Sequence, residues 1–130
     1  MNAKYTKALE MATAAHLGQV DEAGNDYINR SVYIAEHCRS VNEKLVALLQ
    51  DTLKMTDLTV EEIRANFGPT VSDAVVAVTP KEGESIADYL KRIKANPIAR
   101  AVKIEEIKYR IDIDGQNSES FDATINFLQS

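Results

Sequence analysis

Apolar residues recur along this chain at spacings of three and four, and the strict alternation expected of a half-buried strand is almost absent. Tyr5, Ala8, Leu9, Ala12, Ala15 and His16 share one face of a helix predicted over residues 3–17, with Gly18 as its stop. Residues 18–30 carry Gly18, Gly24, Asn25 and Asn29 and read as a loop. A second helix is expected over 31–39 and a third over 42–53, the latter through Leu45, Val46, Leu48 and Leu49. Thr59 and Glu62 have the spacing of a capping box, and Gly68 closes the helix that carries Ile63 and Phe67. Pro69 opens the next helix, which aligns Val71, Val75 and Val78 and stops before Pro80. Ser85 with Asp88 caps a helix bearing Ile86, Tyr89, Leu90 and Ile93. Asn96-Pro97 starts another over 97–109 through Ile98, Val102, Ile104 and Ile107. A polar stretch at 112–117 leads to a short closing helix with Phe121, Ile125 and Leu128. The pattern predicts an all-α single domain of about eight helices, spanning residues 1–130.

Composition narrows the function. The chain has 130 residues, 45% hydrophobic and 27% charged, which is enough to build one buried core and too apolar for a disordered chain. With 15 Lys and Arg against 20 Asp and Glu the net charge is −5, which argues against nucleic acid as a partner. A local cluster of cations for a small anion remains compatible with that balance. No apolar run approaches the roughly 18 residues of a membrane span, and Lys4, Lys7 and Glu10 interrupt any secretory-type leader. The single cysteine, Cys38, suits a reducing compartment, so a cytoplasmic location is expected.

Generic catalytic motifs are missing: the chain has no phosphate-binding glycine loop, no H-E-x-x-H and no cysteine pair for zinc. His16 and His37 fall on different predicted helices without partners at metal-ligand spacing, and read as hydrogen-bonded structural or surface residues. Cys38 precedes Arg39 but has no positioned base, and reads as a half-buried thiol.

The order of short segments is more informative. A-A-H-L-G-Q (14–19), G-N-D-Y-I-N-R-S (24–31), V-A-L-L-Q-D-T-L-K-M-T (46–56), F-G-P-T-V (67–71), D-Y-L-K-R-I-K-A-N-P (88–97) and V-K-I-E-E-I (102–107) follow one another in register. This series resembles the HD-domain hydrolases of the RelA/SpoT type, especially their short stand-alone members, over residues 5–112, leaving 113–130 as a C-terminal extension. The resemblance implies an all-helical HD fold, a manganese ion, and removal of the 3′-pyrophosphate from the guanine nucleotide (p)ppGpp.

It also locates departures from the family pattern. Where the family has a His after its Tyr-Ile element, this chain has Arg30; its His-Asp pair is here Gln50-Asp51. Its water-assisting Glu-Asp pair is Lys54-Met55, its last metal-ligand Asp is Glu106, and a phosphate-holding basic residue of the early loop is Glu22. Asp51 and Glu106 are then the only metal-ligand candidates, and manganese is expected only if they suffice. Gln50 is a weak neutral ligand, Arg30 repels a divalent cation, and neither Lys54 nor Met55 serves as a base near neutral pH. The resemblance therefore implies a catalytically degenerate domain that acts on a ligand or partner by binding. Residual metal-dependent hydrolysis through Asp51 and Glu106 is the alternative.

Charge at the six positions offers two readings. Arg30, Gln50, Asp51, Lys54, Met55 and Glu106 carry two positive and two negative charges, so they balance without a metal. One reading is an internal ion-pair network, in which Arg30 and Asp51 lie close enough to pair with Glu106 nearby. The other is a cationic pocket of Arg30, Lys54, Lys103 and Arg110 that holds a phosphorylated small molecule, such as a guanine nucleotide. Asp51 and Glu106 compete with such an anion, which favours the network. Tyr27, Thr56 and Asp112 match positions near the family's nucleotide pocket, whereas Tyr89, Ile93 and Val102 read as core. The charges of Lys103, Glu105, Glu106 and Lys108 read as a solvated helix face. A protein partner or a homo-oligomer is compatible with the sequence.

Overall fold

The structure is a computed structural model that describes residues 2–116 and 119–130. Among these residues the helical segments are α1 (Ala3–Ala15), α2 (Ile28–Glu36), α3 (Val41–Leu49), α4 (Thr52–Met55), α5 (Val60–Phe67), α6 (Pro69–Val78), α7 (Ile86–Lys94), α8 (Pro97–Asp112) and α9 (Glu119–Gln129). The sole β feature among them is an isolated antiparallel bridge between Val20 and Asp26. The expected all-α architecture is observed.

The fold is organised around α3. Leu45, Val46, Ala47, Leu48 and Leu49 are all fully buried, so the second half of this helix is apolar on every side, and the helix packs on α1, α2, α6 and α8. Ala8 and Ala12 let α1 approach closely, while Ile34 and Ala35 bring in α2 and Val102 and Ile107 bring in α8. The closing helix α9 packs on α7 and α8 and buries Leu128.

Local chemistry accounts for the boundaries. Thr59 and Glu62 form both halves of the predicted capping box, and the Ser85 and Asn96 side chains accept backbone N–H groups at the starts of α7 and α8. Gly68, at φ 89°, closes α5 and admits Pro69 as the first residue of α6. That left-handed φ is why a glycine is needed there.

Four expected boundaries differ. The predicted helix 3–17 ends earlier, at Ala15, with His16 as its C-cap. The predicted helix 42–53 is two helices, because the chain turns at Gln50-Asp51. Thr52 Oγ1 donates to Leu49 O at 2.7 Å and Gln50 Nε2 donates to Ala47 O at 3.1 Å, so side chains satisfy carbonyls that a continuing helix would have used. The predicted helix 31–39 begins earlier, at Ile28, and ends at Glu36. The polar stretch expected at 112–117 starts within α8, since Asp112 is helical; Asn117 lies outside the described residues.

Candidate functional site

The turn between α3 and α4, the start of α2 and the last turns of α8 meet at one corner of the molecule. There Glu106 is a buried carboxylate, 4% exposed, on a helix whose outer side is charged. The expectation that it lies on a solvated face is therefore corrected. Arg30 Nη2 donates to Glu106 Oε2 at 2.8 Å and Lys103 Nζ donates to Oε1 at 2.8 Å, while Arg110 Nε also contacts Oε2. Lys103, Glu106 and Arg110 are three and four residues apart and so share one face of α8. Arg30 arrives from α2 and extends the cluster between helices.

These cations decide the state of the carboxyl. Burial alone would raise the Glu106 pKa, but Lys103, Arg110 and Arg30 outweigh it and hold it below the ordinary glutamate value. For Arg30, burial works against the charged form and Glu106, Tyr27, Asp51 and Asp114 more than reverse it, so its pKa is raised. Arg30 Nη1 also reaches Asp114 Oδ2 at 3.3 Å, and the guanidinium lies 4.9 Å over the Tyr109 ring.

Asp51 has a different partner from the one expected. Tyr27 donates its hydroxyl to Asp51 Oδ2 at 3.1 Å, and the ion pairs among the described residues join Arg30 to Glu106 and Asp114. The expected Arg30–Asp51 pair is thus corrected, although Asp51 lies near enough to contribute to the field at Arg30. Burial, and then the Asp51 carboxylate, push the Tyr27 phenol up to about 12.

The remaining predicted positions separate. Gln50 is buried and turned toward its own helix through Ala47 O. Lys54 is exposed on α4 and belongs to none of the ion pairs found among the described residues, so the four-cation cluster with Arg30, Lys103 and Arg110 is not assembled. Met55 is 37% exposed. The Thr56 hydroxyl is spent locally, donating to Thr52 O at 2.7 Å and accepting from Leu58 N at 3.1 Å. Asp112 is exposed at the end of α8. His37 is exposed and bonded to Tyr33 O at 2.9 Å.

Beside the cluster is an open cavity of about 660 Å³. Of the six candidate ligand residues only Tyr27 and Arg30 line it; Lys54, Thr56, Lys103 and Arg110 do not. Its other walls include Asp21 and Glu22 from the 18–30 loop, Tyr109 from the last turn of α8 and Asp114 just beyond it. Tyr109 and Asp114 escaped the sequence reading. The usable signal for Tyr109 was its place three residues after Glu106; Asp114 sits in a polar stretch that reads as a connector.

His16 ties the loop to this corner. Gln19 Nε2 donates to Met55 O at 2.8 Å, which leaves Gln19 Oε1 as an acceptor for His16 Nδ1 at 2.8 Å. The proton therefore sits on Nδ1, and buried Nε2 has no hydrogen-bond partner among the described residues.

No protein-family model matches the chain. It is 32% identical over 115 residues to a guanosine-3′,5′-bis(diphosphate) 3′-pyrophosphohydrolase of Aquifex aeolicus, an alignment that covers 82% of this chain and 16% of that protein. It is 26% identical over 113 residues to a probable GTP pyrophosphokinase of Mycobacterium leprae, covering 77% of this chain and 14% of that one. The chain thus corresponds to about one sixth of these relatives' length. A solved structure described as a metazoan ortholog of SpoT that hydrolyses ppGpp superposes with a TM-score of 0.73 at 20% identity, covering 99% of this chain and 83% of the other. The Aquifex alignment and the shared all-helical fold place this chain in the RelA/SpoT-type HD-domain family.

Proposed function

We propose that this chain is a non-hydrolytic HD domain that acts by binding, with an internal ion-pair network at the positions where the family resemblance implies a metal ion. The observation that carries the reading is the Glu106 carboxylate, engaged at once by Arg30, Lys103 and Arg110. By resemblance, Glu106 stands at the last metal-ligand position and Arg30 at the first.

That donor set fits manganese poorly. A divalent ion needs several imidazole or carboxylate ligands to be fixed and to acidify water. Here both Glu106 oxygens face cations, and Arg30 carries a permanent charge where a ligand is required. Gln50 directs its amide nitrogen to Ala47 O, and among the described residues no three His, Cys, Asp or Glu side chains gather as ligands. Neither exposed Lys54 nor Met55 supplies a base near pH 7.

The same geometry bears on phosphate. Arg30, Lys103 and Arg110 are already committed to Glu106, so a polyphosphate has to displace an internal carboxylate to recruit them. The cationic-pocket reading is weakened accordingly. The test is incubation of the chain with ppGpp and manganese, because relatives are named for that substrate. Pyrophosphate release is expected at the uncatalysed background. Release at about 1 per second or faster, an ordinary enzyme rate, overturns the reading in favour of hydrolysis through Asp51 and Glu106.

A further inference from the structure

Asp114 is followed by Gly115, whereas the other glycines follow Leu17, Ala23, Phe67 and Glu82, and no Asn precedes a glycine. At an Asp-Gly step the side-chain carboxyl is open to attack by the next backbone nitrogen, because glycine lacks the side chain that obstructs the approach elsewhere. The chain thus contains a single step of this kind.

The fold leaves that step open. Asp114 lies just beyond α8, and its side chain is 34% exposed. The turn is hydrogen-bonded on both sides of the reacting atoms. Asp114 N donates to Tyr109 O at 3.3 Å and Gln116 N to Arg110 O at 2.9 Å, while Gly115 N has no acceptor among the described residues. Gly115 has φ 68°, and the space where a side chain would project from it is empty to 4 Å. Asp112 differs on each count, since it is held within α8 and precedes β-branched Ile113.

One contact opposes the reaction. Arg30 Nη1 donates to Asp114 Oδ2 at 3.3 Å, and the carboxyl must leave the guanidinium before its carbon turns onto Gly115 N. Arg30 is itself anchored by its bond to Glu106 at 2.8 Å.

We propose that Asp114–Gly115 is a site of spontaneous isoaspartate formation, paced by the Arg30–Asp114 ion pair. In the protonated carboxyl, Cγ bonds to Gly115 N; the hydroxyl leaves with the amide proton as water, and a succinimide ring closes. Water then adds at the main-chain carbonyl carbon of Asp114 and breaks its bond to Gly115 N. The mass is unchanged, but the backbone now runs through Cβ and Cγ and the carboxylate sits on Cα. Drawn in toward the backbone, it no longer reaches Arg30, whose Nη1 loses its partner at the cavity wall.

The test holds the full native chain at pH 7 for several weeks. Isoaspartate is counted with a protein isoaspartyl methyltransferase and labelled S-adenosylmethionine, and placed by peptide mapping. Accumulation at position 114 is expected, with none there in Asp114→Glu. Arg30→Lys, with its native melting confirmed, is expected to accumulate it about threefold faster, within the range of a partly exposed ion pair. In urea, where the pair is absent, the two chains are expected to react at equal rates. Should Arg30→Lys fail to fold, added salt is expected to speed the native wild-type chain instead. A native chain free of isoaspartate at 114 overturns the proposal. So does a folded Arg30→Lys no faster than wild type or, in its place, a wild-type rate indifferent to salt.

Discussion

Arg30 of α2 and Glu106 of α8 meet at 2.8 Å with side chains only 15% and 5% exposed, 76 residues apart in sequence. Burying such a pair is costly unless further hydrogen bonds complete it, and here Lys103, Arg110 and Asp114 do so. The pair therefore cross-links two helices that both pack on α3.

Removing the guanidinium tests that cross-link. Arg30→Ala is expected to lower the unfolding free energy by about 2–3 kcal/mol, measured by urea denaturation at pH 7. The loss stops short of stranding a bare buried ion, because Lys103 and Arg110 still face Glu106. Arg30→Lys is expected to recover only part of it, since one ammonium cannot fork between Glu106 and Asp114.

Acid should undo the same cluster. The Glu106 pKa lies below its ordinary value of 4.5. A carboxyl depressed in the folded state stabilises fully above its unfolded pKa, and that contribution is lost as pH falls through the folded value. Urea midpoints measured from pH 7 down to pH 3 should thus drop below about pH 4.5. Glu106→Gln should flatten that drop while lowering stability at neutral pH.

Metal binding should not return with one histidine. Gln50→His alone is expected to leave the protein unable to hold manganese, because Arg30 still occupies the corner and pairs with Glu106. The combined change Arg30→His, Gln50→His, Lys54→Glu, Met55→Asp and Glu106→Asp is expected to gain a manganese site, read by electron paramagnetic resonance. Binding by the single variant would contradict the account of Arg30 as the internal cation.

Cys38 should be chemically quiet. Burial, and then the Glu43 and Glu105 carboxylates, push its thiol up to about 12, and its sulfur donates to Ile34 O at 3.4 Å. A disulfide reagent at pH 8 is expected to label it slowly in the native protein and rapidly in urea. Equal rates in both conditions would show that the thiol is accessible.

Much of the fold was legible because its punctuation is local. The Thr59–Glu62 box and the Asn96-Pro97 start involve residues within one helical turn. The break at Gln50-Asp51 was hidden for the opposite reason. No Gly or Pro marks it, and Leu53 continues the apolar spacing across it. The side-chain bonds to Ala47 O and Leu49 O that satisfy the helix end carry no distinctive sequence signal. At the site, Lys103, Glu106 and Arg110 were readable as neighbours on a helix. The choice of Asp114 over Asp51 as the second partner of Arg30 was not, because it depends on where the chain turns after α8.

The contact from Gln19 to Met55 has a consequence for how this corner tolerates change. Gln19 donates to the backbone carbonyl of residue 55 and ignores its side chain. Any residue other than one that distorts the backbone presents the same acceptor. The join between the 18–30 loop and the end of α4 is thus blind to the amino acid at position 55. Chemistry and architecture are uncoupled at this position: side chains here can be exchanged freely in search of new activities while the loop stays anchored.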